Sequence, residues 1–135
     1  MSHPPPTRQV HVTKSSSLQP SGSQTAGMSR SDAIVGRCGG LCATQMVARA
    51  GTSSAVHHHG AQDTIVYAIR GTGGSIVSEG GARRVRLEPG DYAVVPAYAE
   101  HQEVNDGDGD VVWAVVRSGP VPEVVNLTGW GGEPV

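Results

Sequence analysis

The sequence predicts an all-β fold, an antiparallel sandwich or barrel, on three observations. From Leu41 onward, short runs rich in Val, Ile and Thr recur at close, regular spacing. Turn signals separate them: Gly51, Gly71-Thr72-Gly73-Gly74, Gly80-Gly81, Glu88-Pro89-Gly90-Asp91 and Asp106-Gly107-Asp108-Gly109-Asp110. Only residues 28–42 carry a competing helix signal. Short strands punctuated in this way build packed antiparallel sheets.

Taken in order, residues 1–27 are rich in Pro, Ser, Gln and Gly. They are expected to form a flexible N-terminal arm ahead of a single domain over 28–135, because such a composition buries little. Within the arm, Val10 and Val12 alternate with polar neighbours and suit a strand added to a sheet edge, on this chain or a partner. A short helix or turn is expected in 28–42, beginning at Ser29 or Ser31. Strands follow near 43–50, 54–59, 63–70, 74–78, 83–87, 92–96, 100–105, 111–117 and 122–127. The Val-Val-Trp-Ala-Val-Val run at 111–116 reads as a strand buried on both faces.

At 135 residues and 13.9 kDa the chain is sized for one domain. Its formal charge is −2, with a single lysine, Lys14, and no basic-aromatic stripe, which argues against a nucleic-acid partner. No stretch approaches the roughly 20 apolar residues of a membrane span, and MSHPPPTRQ lacks the apolar region of a signal peptide. A cytoplasmic location is the default expectation. Cys38 and Cys42 stand in RCGGLC and read as reduced thiols, since zinc would need further ligands that no nearby pair supplies.

Chemistry concentrates in two stretches, GTSSAVHHHGAQDTIVYAIRG at 51–71 and GDYAVVPAYAEHQEVN at 90–105. His57 and His59 are two apart, so on a strand their imidazoles share a face, while His58 points the other way. His101 comes from a different strand. Two same-face imidazoles and one from a neighbouring strand make a facial metal site with open positions. Glu103 shares parity with His101; it either works beside the metal as a general acid or base or sits solvated at a barrel mouth. Gln45, Arg49 and Arg70 are candidates for facing inward, where an arginine would bind a substrate carboxylate. Asn105 suits a strand-end hydrogen bond, and Pro96 and Gly90 a strand stop and a turn.

These stretches resemble the two motifs of the cupin superfamily. Gly51, His57, His59 and Gly71 match the first; Gly90, Pro96, His101 and Asn105 match the second, with Tyr98 where the family usually has glycine. The resemblance covers about residues 41–127 and is narrower still to small single-domain bacterial cupins. It implies a jelly-roll β-barrel, a metal bound inside by the motif histidines, and a homodimer. The family's glutamate has no clear counterpart. Counting forward from His59 puts the acidic slot at Asp63, counting back from Gly71 puts it at Thr64, and strand parity offers Gln62 beside Thr64. Gln62, Asp63 or water therefore stands as fourth ligand. The resulting expectation is a divalent ion, Fe(II) foremost with Zn, Ni or Mn as alternatives, held by His57, His59 and His101. Acting on a small oxygen-chelating substrate, it leans to oxygenase-type chemistry. The alternatives are a non-oxidative isomerase, cyclase or lyase, and a non-catalytic ligand-binding cupin. Tyr98 is expected to narrow the entrance.

Overall fold

The computed structural model describes residues 9–25 and 27–135. Its strands are β1 (Pro20–Thr25), β2 (Met28–Ile34), β3 (Leu41–Ala48), β4 (Thr52–Ser53), β5 (His57–His58), β6 (Thr64–Arg70), β7 (Gly74–Ser78), β8 (Arg83–Arg86), β9 (Tyr92–Val95), β10 (His101–Asn105), β11 (Val111–Ser118) and β12 (Val125–Asn126). Among the described residues there is no α-helix, only 3-10 turns at Ser15–Ser17 and Glu79–Gly81, and no helix is long and apolar enough to cross a membrane. One sheet runs β1-β2-β3-β11-β6-β9 and the other β12-β5-β10-β7-β8, with β4 also pairing β10. The neighbours are antiparallel throughout. The all-β barrel expected from the turn spacing is therefore present.

Alternation explains why β3 and β11 form the spine. Cys42, Thr44, Met46 and Ala48 are buried on β3, and Val111, Trp113, Val115 and Arg117 on β11. The pairing register sets Ala48 opposite Val111, Met46 opposite Trp113, Thr44 opposite Val115 and Cys42 opposite Arg117, so both sets face the barrel interior. Met28, Val66, Ala68 and Leu87 complete the core around Trp113. Val112 is buried as well, which fits the expected strand covered on both faces at this end.

Three expectations about local structure are revised. Residues 28–34 are strand, not helix: β2 pairs along β3 from Met28↔Ala48 to Ile34↔Ala43, and ladder bonding outweighs the weak capping signal at Ser29 and Ser31. Of the expected arm, Pro20–Thr25 is strand β1 on the edge of β2. Residues 1–8 and 26 lie outside the described residues. Val10 and Val12 are exposed and outside any strand, while Thr13 Oγ1 donates to the Ala33 carbonyl at 2.7 Å. Of the strand expected over 54–59 only His57–His58 (β5) forms; β4 ends before it at Ser53, and the buried Ser54 turns its hydroxyl back onto the chain. It accepts the Glu103 amide (3.0 Å) and donates to the Ala55 carbonyl (2.9 Å).

Gly71 closes β6 at φ +93, and an added Cβ would collide with the Asp110 carbonyl oxygen and come within 2.7 Å of Val111 Cα. Gly71→Ala is expected to cost about 1–3 kcal/mol, since it forces an L side chain into the left-handed region. Chemical denaturation measures this, and an unchanged midpoint would show that the turn relaxes freely.

Candidate metal centre

Sheet pairing assembles the histidines. His101 opens β10 and lies directly opposite His57 on β5, so the two rings share the interior face; their centroids are 4.3 Å apart. His59 follows two residues after His57 and meets the His101 ring edge-on at 4.7 Å. All three are buried, and one ligand atom from each lies within 4.8 Å of the others. His58 is half-buried on the other side, where its Nδ1 accepts the Gly60 amide at 2.9 Å.

Each ring is held by its Nδ1. His57 Nδ1 lies 2.8 Å from the Ala55 carbonyl, His101 Nδ1 2.9 Å from the Ala99 carbonyl, and His59 Nδ1 2.7 Å from Thr64 Oγ1. Carbonyl acceptors fix the tautomer of His57 and His101 with the proton on Nδ1, which leaves Nε2 with a lone pair for an ion.

Glu103 joins this group. Its Oε2 is 3.2 Å from both His57 Nε2 and His101 Nε2, yet His57 Nε2 and Glu103 Oε2 lack hydrogen-bonding geometry to any protein atom. The carboxylate thus stands against the three-imidazole cluster without bonding it. Burial pushes the His57 pKa down, but the Glu103 carboxylate more than offsets it and the net shift is upward. Burial likewise raises Glu103, but His57 and His101 against it hold its carboxyl well below the usual range. His59 is pushed down to about 2 by burial, with Arg117 and His101 adding to the effect, so it is neutral and available as a ligand. The cluster calls for positive charge at its centre and could hold a metal ion.

The fourth-ligand candidates lie elsewhere. Gln62 is buried but committed to backbone: Nε2 donates to the Ser118 and Val121 carbonyls at 2.7 and 2.6 Å, and Oε1 accepts the Glu123 amide at 2.8 Å. It is a strut for the 118–123 loop. Asp63 is exposed, and its Oδ1 accepts the Ala97 amide at 2.9 Å. Thr64, at the acidic slot, holds its hydroxyl 2.7 Å from His59 Nδ1 and orients that ring. The carboxylate beside the histidines comes from the second motif, as Glu103.

A narrow cavity opens onto the cluster. His59, His101 and Glu103 line it together with Thr44, Trp113, Arg117, Arg30 and apolar side chains including Met46, Val66 and Val115. About 20 Å³ is open to the centre of a water-sized sphere, room for an ion's waters or one or two ordered waters. Anything larger would fit only if lining side chains moved aside.

Several sequence candidates do not reach this space. Arg49 and Arg70 are exposed and Gln45 is half-buried on the face opposite Thr44 and Met46. Arg70 sits past the register shift between Val112 and Trp113, where inward parity is lost. Tyr98 is exposed, with its ring 5.7 Å from His58, and does not line the cavity. At φ 62 it occupies the left-handed region that glycine tolerates best. Asn105 is buried and ties the chain by donating to the Ala48 and Gly109 carbonyls at 2.9 Å each. Arg117 went unrecognised, although its parity with Val111, Trp113 and Val115 was readable once 111–118 was treated as one alternating strand.

Comparison with known proteins agrees with this architecture. The sequence profile of the family described as Cupin domain matches residues 44–117. A glucose-6-phosphate isomerase of Thermococcus onnurineus is 39% identical over 64 residues, 44% of this chain and 34% of that protein; the match thus spans about a third of that curated relative. Among solved structures, KdgF from Halomonas sp. superposes with a TM-score of 0.68 at 22% identity, covering 82% of this chain and 94% of that one. The polyketide cyclase RemF from Streptomyces resistomycificus gives 0.69 at 16% identity, covering 90% and 87%. At such identities these two share the fold.

Proposed function

The chain belongs to the cupin domain family, and on that footing we propose that it is a metal-dependent enzyme that moves protons on a small, oxygen-chelating molecule inside the barrel. The observation that carries this reading is Glu103. A buried carboxylate oxygen without a hydrogen bond, 3.2 Å from two histidine Nε2 atoms, would take a proton from a substrate carbon or oxygen and return it at another. His57, His59 and His101 would hold the divalent ion, which supplies Lewis-acid polarisation of a bound substrate oxygen. Thr64 and the Ala55 and Ala99 carbonyls keep the rings in place, and Met46, Val66 and Val115 exclude bulk water. Isomerase, cyclase and lyase reactions all need this proton transfer, and the similar proteins named isomerase and cyclase are consistent with it.

Oxygenase-type chemistry is the second reading. It is favoured by three imidazoles and a nearby carboxylate, a donor set that suits Fe(II). One experiment separates the readings. Protein loaded anaerobically with Fe(II), Mn(II), Ni(II) or Zn(II) is incubated in D₂O with small hydroxy acids, oxo acids and diketones. Deuterium incorporation or isomerisation without O₂ is the expected result, read by NMR. Turnover only with Fe(II) and O₂ would favour the oxygenase, and ligand binding without turnover under any condition would leave a binding module.

A homodimer would rest on a patch on the outer face of β6 and β9. Ile65 and Ile69 on β6 and Tyr92 and Val94 on edge strand β9 are exposed, with Ile65 paired to Val94, and contiguous apolar surface marks contact sites. Light scattering is expected to give a dimer mass, reduced to monomer by Ile65→Asp with Val94→Asp. A monomeric wild type would remove the dimer.

A further inference from the structure

The wall facing the histidines carries polar groups that the reaction outlined above does not use. Arg117, 3% exposed, donates from Nη1 to the Glu123 carbonyl at 2.7 Å, but its Nε has no hydrogen-bond partner in the protein. The same holds for the buried Thr44 Oγ1, and for Trp113 Nε1, whose edge of the indole packs against Gly74. All three residues line the cavity that His59, His101 and Glu103 also line. They form a short row. On β11, Trp113, Val115 and Arg117 alternate inward, and Thr44 on β3 stands opposite Val115, between the other two. Buried donors left without protein partners are uncommon and call for a ligand or ordered water.

We propose that Arg117 and Thr44 form a carboxylate-binding subsite, so that the substrate is a small acid bound between this wall and the metal centre. The inference rests on the metal-centre reading for the substrate's other end, but the subsite itself consists only of these residues. Arg117 offers only N–H donors and the Thr44 hydroxyl can donate beside it, which matches an acceptor-only group. The Nε edge of a guanidinium fits the two oxygens of a carboxylate side-on. The charge balance points the same way: a divalent ion and Arg117 outweigh the single Glu103 carboxylate, while the neighbouring Arg30 has Asp32 at 3.6 Å. The remaining lining, Met28, Met46, Val66, Ile76, Val95 and Val115, is apolar. That suits a short carbon skeleton and leaves the hydroxyls of a sugar phosphate without partners. Among the lining residues only Ser29, Arg30 and Ile76 retain appreciable exposure, so the acid enters past them.

Malonate, with one carboxylate for each wall, is the probe. Calorimetric titration of zinc-loaded protein is expected to show it binding more tightly than inorganic phosphate or monomethyl malonate. Arg117→Met should weaken malonate about 10- to 100-fold, the range for a hydrogen bond to a charged group. Thr44→Val, which leaves the Arg117–Glu123 contact in place, should weaken it by a smaller factor, and zinc content should stay equal in all three proteins. Zinc uptake with malonate affinity unchanged in both variants would mean that ordered water alone fills the wall, and the subsite would be wrong. Phosphate binding more tightly than malonate would overturn the carboxylate assignment. The same titration on metal-free protein keeps the two readings apart. Arg117-dependent malonate binding by a protein that takes up no zinc would support the subsite while sinking the metal centre.

Discussion

His57→Ala and His101→Ala are each expected to lower affinity for a divalent ion by more than about 100-fold, beyond the 10- to 100-fold that losing a hydrogen-bond partner of a ligating histidine costs. The two rings face one another across β5 and β10, and either loss leaves only two of the three clustered imidazoles. Metal content after anaerobic loading and dialysis, read by mass spectrometry, measures the effect. Thr64→Val removes the hydroxyl 2.7 Å from His59 Nδ1 and should cost about 10- to 100-fold. His58→Ala should change nothing, because its ring binds the Gly60 amide on the other side. Circular dichroism on the same samples distinguishes metal loss from unfolding, to which His57 is exposed as a fully buried residue. Folded His57→Ala and His101→Ala proteins with full metal content would move the ion elsewhere.

The second large effect is expected at Glu103. Glu103→Gln preserves volume and removes the proton-accepting oxygen, so turnover should fall by about 10²- to 10⁴-fold, the usual worth of a general acid–base group. Metal content should stay within tenfold of wild type if the three imidazoles provide the binding. A parallel collapse of metal content would make Glu103 a ligand rather than a proton carrier, the outcome its 3.2 Å approach to His57 and His101 also permits. Undiminished turnover would remove it from the reaction.

Residues at these positions differ in how far the sequence revealed them, and strand geometry explains the difference. The side on which His57, His58 and His59 fall follows from alternation within a few residues, and Glu103 follows His101 by the same rule. Gly71, Gly90 and the Asp-Gly run mark turns through local backbone preference, which placed most strands from β3 to β11 within a residue or two. Local signals failed where pairing decides. Residues 28–34 became strand because β3 had an edge to offer. Arg70 lost its inward parity at a register shift that only the β6–β11 pairing contains. Arg117 was hidden at the end of a valine run that looked apolar on both sides.

Gln62, Asp63 and Thr64 mark the limit most clearly. Parity alone could not choose among them, because the choice depends on what lies opposite: the Ser118–Glu123 backbone captures Gln62, the Ala97 amide captures Asp63, and His59 captures Thr64. By itself, then, the sequence determined an antiparallel β-barrel and three inward histidines, since turn chemistry and the two-residue strand period are local. Only the tertiary structure decided that Gln62 and Asp63 are held away from the histidines while Glu103 stands against them, and that Arg117, Thr44 and Trp113 line the same cavity. Those relations depend on cross-strand register and sheet-to-sheet packing between residues far apart in the chain.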